Sequence, residues 1–291
     1  VDIGSQTVGE AYGTGNLEYS AAAIARALRT RRLGRPVVFF ERVGSTNDVA
    51  HRQALAGAPE GLLVVADEQT AGRGRMGRSW LALKGTSLLF SLLLRPLLQP
   101  AHAAQLTMCL GLGALEGVEI VAGPRPALKW PNDLLLGGRK LGGMLAELRT
   151  AEGQIDYAVL GLGINVNVKL EEPRWTSLSA VLGRAVDRVE LLAEIVARCE
   201  VWYERVFAAQ AEVGDRKADT GARKPQGGEQ IHAAWAARLD TLGRLITVST
   251  SAGELRGRAV GVSEQGALIV EKEDGDKQLI WGGDVTVVEV A

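Results

Sequence analysis

Three runs between Leu62 and Leu94 decide the fold. They are Leu-Leu-Val-Val-Ala at 62–66, Gly-Arg-Gly-Arg-Met-Gly-Arg at 72–78, and Ser-Leu-Leu-Phe-Ser-Leu-Leu-Leu at 87–94, the last stopped by Pro96. The outer two are short and almost continuously apolar, which reads as two strands buried on both faces. The Gly-rich stretch 72–77 between them reads as a loop. A sheet covered on both faces needs helices, and the flanks supply them. Upstream lies a short apolar strand at 37–41. The cluster Ser45-Thr46-Asn47-Asp48 follows, rich in N-cap residues, and opens a helix over 48–56. Downstream, a helical stretch covers 102–116. Short strands then follow at 127–130, 134–136, 140–148 and 157–166, with Gly137-Gly138 suited to a primed hairpin turn. The longest helix is predicted over 188–210. Asp187 and Glu190 have capping-box-like spacing, and Leu192, Ile195, Val196, Cys199, Trp202, Val206 and Phe207 form one apolar stripe.

The ends differ in texture. Residues 1–16 are rich in Gly, Ser and Thr and predict a mobile leader, followed by a short amphipathic helix over 17–31. Residues 214–228 are charged, with Ala the one apolar type, and predict a disordered insertion before a helix at 231–239. From residue 245 onward come short alternating strands at 245–249, 254–262, 267–270, 278–281 and 285–290, with Asp274-Gly275 as a hairpin turn. That pattern predicts a small β-barrel. The expected class is α+β: a mixed sheet flanked by helices, then the barrel. The expected division is a leader and short helix over 1–36, a mixed α/β body over 37–242 and the barrel over 243–291.

Composition narrows the function. At 46% hydrophobic and 23% charged residues, the 291-residue chain is neither disordered nor fibrous. Lys and Arg number 33 against 34 Asp and Glu, so bulk charge drives binding to neither nucleic acid nor an anionic membrane. Cys109 and Cys199 are too few for a disulfide framework and fit no zinc spacing; His51, His102 and His232 form no ligand pair. They read as two inert thiols in a reducing compartment. The longest apolar runs reach about half of the ~20 residues of a membrane span. The first thirty residues lack the cationic start and apolar core of a signal peptide.

Four segments carry chemistry. In the 72–78 stretch, glycines let a ligand approach the backbone while Arg73, Arg75 and Arg78 supply anion-binding forks. A solvated turn or a Gly-Arg RNA-binding segment are the other readings, and the second is weakened because such segments come as long repeats. Lys129-Trp130-Pro131-Asn132-Asp133 places a lysine, an amide and a carboxylate together at a strand end, where they could hold a phosphate and Mg²⁺ or form an ordinary Pro-Asn-Asp turn. Lys140 enters a buried strand, where its charge needs a partner, or else it is a surface lysine at a strand start. Gly161-Leu162-Gly163-Ile164-Asn165 ends a strand in polar amides, as a ligand-facing strand or a plain turn.

These segments, in order after Ser45-Thr46-Asn47, resemble the biotin protein ligases from about Val37 to the C-terminus. The resemblance implies a class II synthetase-like catalytic fold with an SH3-like C-terminal barrel. It implies a biotin site of Ser45, Thr46, Asn47, Gln69, Arg73, Gly74, Arg75, Lys140 and Gly142, and an ATP or adenylate site of Arg75, Arg78, Trp80, Lys129 and Asn165. Asp133 would lie at the metal, and Lys140, Arg73, Arg75 and Lys129 would be catalytic. ATP, Mg²⁺ and biotin are the implied cofactor and substrates, and a biotin carboxyl carrier domain the implied partner. The enzyme would be cytoplasmic, with no nucleic-acid or membrane partner, and a homodimer is open to it through one exposed sheet edge. Repressor-type members carry an N-terminal winged helix-turn-helix. Only one helix fits before the first strand here, so the expectation is a ligase without that half. A lipoate- or octanoyl-transferring relative and a biotin-sensing regulator are the alternatives.

Overall fold

The computed structural model describes residues 8–11, 18–211, 228–251 and 253–288. In the first half, strand β1 (Val8–Ala11) and helix α1 (Ala21–Ala27) precede β2 (Val37–Val43), α2 (Thr46–Leu55), β3 (Leu63–Arg73), β4 (Ser79–Ala82) and β5 (Ser87–Leu94). Helix α3 (Ala104–Ala122) leads to β6 (Ala127–Lys129), β7 (Asp133–Leu136), β8 (Arg139–Ala151), β9 (Gln154–Asn165) and β10 (Val168–Leu170). Helices α4 (Leu178–Leu182), α5 (Arg188–Ala211) and α6 (Gly228–Ala236) follow. The chain ends in β11 (Leu245–Thr250), β12 (Gly253–Val262), β13 (Leu268–Glu271), β14 (Lys277–Ile280) and β15 (Asp284–Val287).

The main sheet runs β2-β3-β5-β9-β8-β7-β6, with β4 paired to β3. Only β2 and β3 are parallel, joined over one face by α2; the other neighbours are antiparallel. Strand β5 lies inside the sheet between β3 and β9 and is buried along its whole length, as its almost continuous apolar run demands. One sheet face carries Leu63, Val65, Phe90 and Leu162 under α3 and α5. The other carries Val64, Leu93, Tyr157 and Val159 under α2. By length and composition, Pro100–Ala122 could cross a membrane, yet it is a core helix, 67% buried. It packs closely on α5, where a Cβ on Gly113 would come within 2.4 Å of the Cys199 sulfur. Both thiols are free and buried, and burial pushes both well above the usual thiol range.

Several expectations need correction. Residues 72–74 are not all loop: β3 runs on to Arg73 and pairs with β4, Gly72 opposite Trp80. The stretch 8–11 is a strand paired with β10, where a mobile leader was expected. Helix α1 is about half its expected length. Its chain turns after Leu28, and Glu200 of α5 accepts the backbone N–H groups of Arg31, Arg32 and Leu33 at 2.7–2.8 Å. The expected insertion at 214–228 lies outside the described residues, except that Gly228 starts α6. The C-terminal unit is a five-stranded antiparallel sheet in the order β14-β13-β12-β11-β15, as an SH3-like domain requires.

Candidate active site

The α2 face of the sheet is bare in the middle. Gly143 of β8 lies opposite Gly163 of β9, and Leu145 opposite Gly161. A Cβ on Gly161 would meet the Asn47 side-chain oxygen at 2.3 Å, and one on Gly163 would meet the Trp80 indole at 2.7 Å. These glycines therefore admit two clusters directly onto the backbone.

The first cluster surrounds the start of α2. Ser45 is extended at φ −151°, so the helix begins at Thr46 and turns its first residues toward the sheet. Gln69 Oε1 accepts from the Thr46 backbone N–H at 2.7 Å and lies 3.0 Å from the Thr46 hydroxyl. Ser91 Oγ lies 2.8 Å from Thr46 Oγ1 and 2.6 Å from Asn47 Oδ1. Two hydroxyl protons thus serve three oxygen–oxygen contacts, and the cluster is short of a donor. A ligand bringing N–H groups would relieve it. Both directions of the Asn47 amide nitrogen are taken, by Glu147 at 2.6 Å and the Leu145 carbonyl at 3.4 Å.

The second cluster surrounds Lys140. A register irregularity between β7 and β8 pairs Leu134 with Gly142 but Leu135 with Lys140, which brings Lys140 to the same face as Gly143. Its ammonium donates to Asp133 at 2.7 Å and stands 5.0 Å from the Trp175 ring centroid and 6.0 Å from that of Trp80. The two indoles are tilted together at 5.6 Å. Trp80 is buried, and its ring N–H has no partner. The chain through 174–176 is strapped to Lys140, which donates its N–H to the Arg174 carbonyl and accepts from the Thr176 N–H. Asn165 is buried beside it and donates to the Thr176 carbonyl at 3.2 Å. Burial pulls Lys129 below the ordinary lysine value; Asp133 opposes this, while Lys140, Arg78 and Arg174 reinforce it.

The Gly-Arg stretch is a hairpin tip between β3 and β4, tightened by the Gly74 N–H donating to the Arg78 carbonyl at 2.7 Å, with Met76 and Gly77 at positive φ. Its three arginines reach four segments. Arg73 bonds Asp48 of α2 and Glu147 of β8; Arg75 reaches Asn132 at 3.3 Å; Arg78 pairs with Asp284 of the C-terminal sheet. Burial lowers the pKa of the Arg75 guanidinium. A cavity of about 540 Å³ opens beyond the β8 edge, walled by this hairpin, Asn132, Glu147, Trp235 and Trp281. Lys140, Lys129, Asp133 and Thr46 are not in its wall. The expected site residues therefore form two clusters on one sheet face, with the hairpin arching toward a neighbouring cleft. Sequence reasoning missed Ser91, Glu147, Trp175 and Trp281. Ser91 had a signal, since it breaks an apolar run; the others are joined to the site only by the fold.

Residues 39–165 match the biotin/lipoate A/B protein ligase family, and residues 241–288 match the biotin protein ligase C-terminal domain. A biotin–[acetyl-CoA-carboxylase] ligase of Mycobacterium tuberculosis is 34% identical over 255 residues, covering 79% of this chain and 94% of the relative. The chain belongs to the biotin protein ligases. A bifunctional ligase/repressor BirA of Bacillus spizizenii is 32% identical over 272 residues, 91% of this family member and 78% of the relative. The biotin protein ligase of Aquifex aeolicus, solved in complex with biotin and ATP, superimposes with a TM-score of 0.68 at 28% identity, covering 87% of this ligase and 99% of that chain. The first family match runs from within β2 to the end of β9, so it contains the first cluster, the hairpin, and the second cluster apart from Trp175 and its neighbours at 174–176.

Proposed function

We propose that this chain activates biotin with ATP to biotinyl-5'-AMP and transfers the biotin to one lysine of a biotin carboxyl carrier domain. The observation that carries the reading is the pairing of a donor-poor polar cluster with a cationic, aromatic-walled cluster across a strip of glycines. The first suits a neutral ring that offers N–H groups. The second suits an anionic phosphate and a flat base.

Thr46, Gln69 and Ser45 receive the ureido ring in this reading, with Asn47 and Ser91 holding them, while Gly142 and Gly74 offer backbone contacts. Lys140 and Arg73 attend the biotin carboxylate. Lys129, Arg75 and Arg78 attend the phosphates, and Trp80 and Asn165 the adenosine. Two anions must meet for the carboxylate oxygen to attack the α-phosphorus and expel pyrophosphate. The surrounding cations offset that repulsion, and positioning supplies much of the remaining rate. A carrier amine then attacks the acyl carbon and releases AMP. Until then the hairpin of 72–78 excludes water from the mixed anhydride.

Mg²⁺ enters with ATP. Among the described residues no group of three or more potential ligands exists, so an all-protein cage is not available. Asp133, the carboxylate beside Lys140, fits the usual magnesium arrangement of one carboxylate plus substrate phosphates. The ion would neutralise phosphate charge there. We assign residues 37–242 to the catalytic body and 243–291 to the C-terminal domain, and place the enzyme in the cytoplasm, a reading that the two free thiols support. On the side away from β9, no described strand pairs with β8 beyond Gly143, which leaves an edge for a carrier or a second copy.

The test is incubation with biotin, ATP and Mg²⁺, following pyrophosphate release and bound adenylate, then addition of a carrier domain. Pyrophosphate with biotin but not with lipoate is the expected result. Pyrophosphate with lipoate alone, or with neither acid, would overturn the reading.

A further inference from the structure

Glu147 lies in β8, outside every motif that marks the site, yet its carboxylate touches both the pocket and the hairpin. Oε2 accepts from the Asn47 amide at 2.6 Å, and both oxygens face Arg73 Nη2, at 3.1 and 3.2 Å. Asn47 is buried and otherwise held by Ser91 at 2.6 Å and by the Leu145 carbonyl at 3.4 Å, so Glu147 is the closer of its two acceptors and with Ser91 sets which way its amide points. Arg73 closes β3 at the root of the hairpin, and its other partner is Asp48, the residue after Asn47. His51, one turn further along α2, stands 3.5 Å from Glu147 and 3.2 Å from the Tyr157 hydroxyl.

We propose that Glu147 is a positioning residue that couples the biotin pocket to the hairpin, orienting the Asn47 amide with one interaction and tethering Arg73 with the other. The proposal rests on the biotin-ligase reading for the identity of the ligand. The coupling itself rests on the contacts. The two halves have different chemistry. Asn47 needs only an acceptor, which a neutral amide supplies. Arg73 needs a negative charge, which an amide does not supply. Replacement by Gln therefore separates what replacement by Ala removes together.

The experiment compares wild type, Glu147→Ala and Glu147→Gln in the full chain. It measures biotin affinity by calorimetry and the rate of trypsin cleavage within 72–78, with melting temperatures as a check on folding. Glu147→Ala is expected to weaken biotin binding about tenfold or more, the worth of one charge-assisted hydrogen bond, and to accelerate hairpin cleavage. Glu147→Gln is expected to recover biotin affinity to within about threefold of wild type while its hairpin is cut as fast as that of the Ala variant. Wild-type behaviour of the Ala variant in both readouts overturns the proposal. So does a Gln variant that recovers both or neither. If wild type binds no biotin, the functional reading falls instead, and the cleavage rates of the three proteins still decide whether Glu147 tethers the hairpin.

Discussion

Lys140→Ala tests the central chemistry most directly. The ammonium lies 2.7 Å from Asp133, with 24% of the side chain exposed and two indoles beside it, so it works in partly shielded surroundings. With an effective dielectric near 20, a unit charge about 4 Å from charge developing at the reacting oxygens is worth ~4 kcal/mol. Asp133 already neutralises part of that charge, which leaves about 3 kcal/mol for the transition state of adenylation. The expected slowing is about 150-fold. Transfer from supplied biotinyl-adenylate needs much less help, because the anions have already been joined, and it is expected to slow by less than about tenfold. Folding is no confounder. The lost ion pair is partly exposed and costs ~1 kcal/mol or less, so the melting temperature should hardly move. Rapid-quench measurement of pyrophosphate release and of carrier labelling gives both rates. Equal losses in the two half-reactions, or adenylation within threefold of wild type, would refute the placement of Lys140 at the reacting carboxylate.

Arg75→Gly removes the contact from the hairpin to Asn132 and should raise escape of free adenylate on the order of tenfold; it is read as labelling of lysines on an unrelated protein, and a variant no leakier than wild type counts against the hairpin as a cover. Lys129 predicts a pH effect. Burial lowers it from the ordinary value of 10.5, and in the proposed reading the reaction needs its charge, so adenylation should fail on an alkaline limb below 10.5 that Lys129→Arg moves upward. The stability sign is opposite. Between the lowered value and 10.5 the unfolded chain binds more protons than the folded one, so stability contributed by this group rises with pH across that window, and melting curves taken there would reveal an alkaline limb caused by unfolding.

Local signals account for what the sequence revealed. The almost continuous apolar run of β5 reads as a buried strand, and its ends coincide with those in the structure. Gly137 and Gly138 both take positive φ in the hairpin turn that their pairing suggested. Strands β4 and β10 were missed because pairing makes them strands, β4 against β3 and β10 against β1. The same holds for the site. Arginines spaced by glycines are conspicuous in a sequence, and so is Lys-Trp-Pro-Asn-Asp. Glu147 is not, because its meaning lies in Asn47, a hundred positions away, and in Arg73 on a third element. Trp175 is likewise meaningful only through its contact with Trp80 and Lys140.

The glycines of β9 explain why the cations had to come from elsewhere. Gly in a strand interior weakens the strand, and of the two here Gly163 lies opposite another glycine, Gly143, while Gly161 lies opposite Leu145. That weakness is tolerable because at both glycines β9 is flanked by β5 on one side and β8 on the other. In exchange the sheet face lies so close to Asn47 and Trp80 that a single methyl group would collide with either. A floor of that kind offers shape and backbone polarity but no side-chain charge. The charges that oppose two anions must then be delivered from the rim. That is where they stand: Lys140 and Lys129 on the strand edges beyond the floor, and Arg73, Arg75 and Arg78 on a hairpin tied to four different segments. In the proposed reading, the uncharged floor holds the ring of the substrate while the cationic rim closes over it, and the ties of the hairpin, rather than its arginines alone, set how long the reactive intermediate is kept.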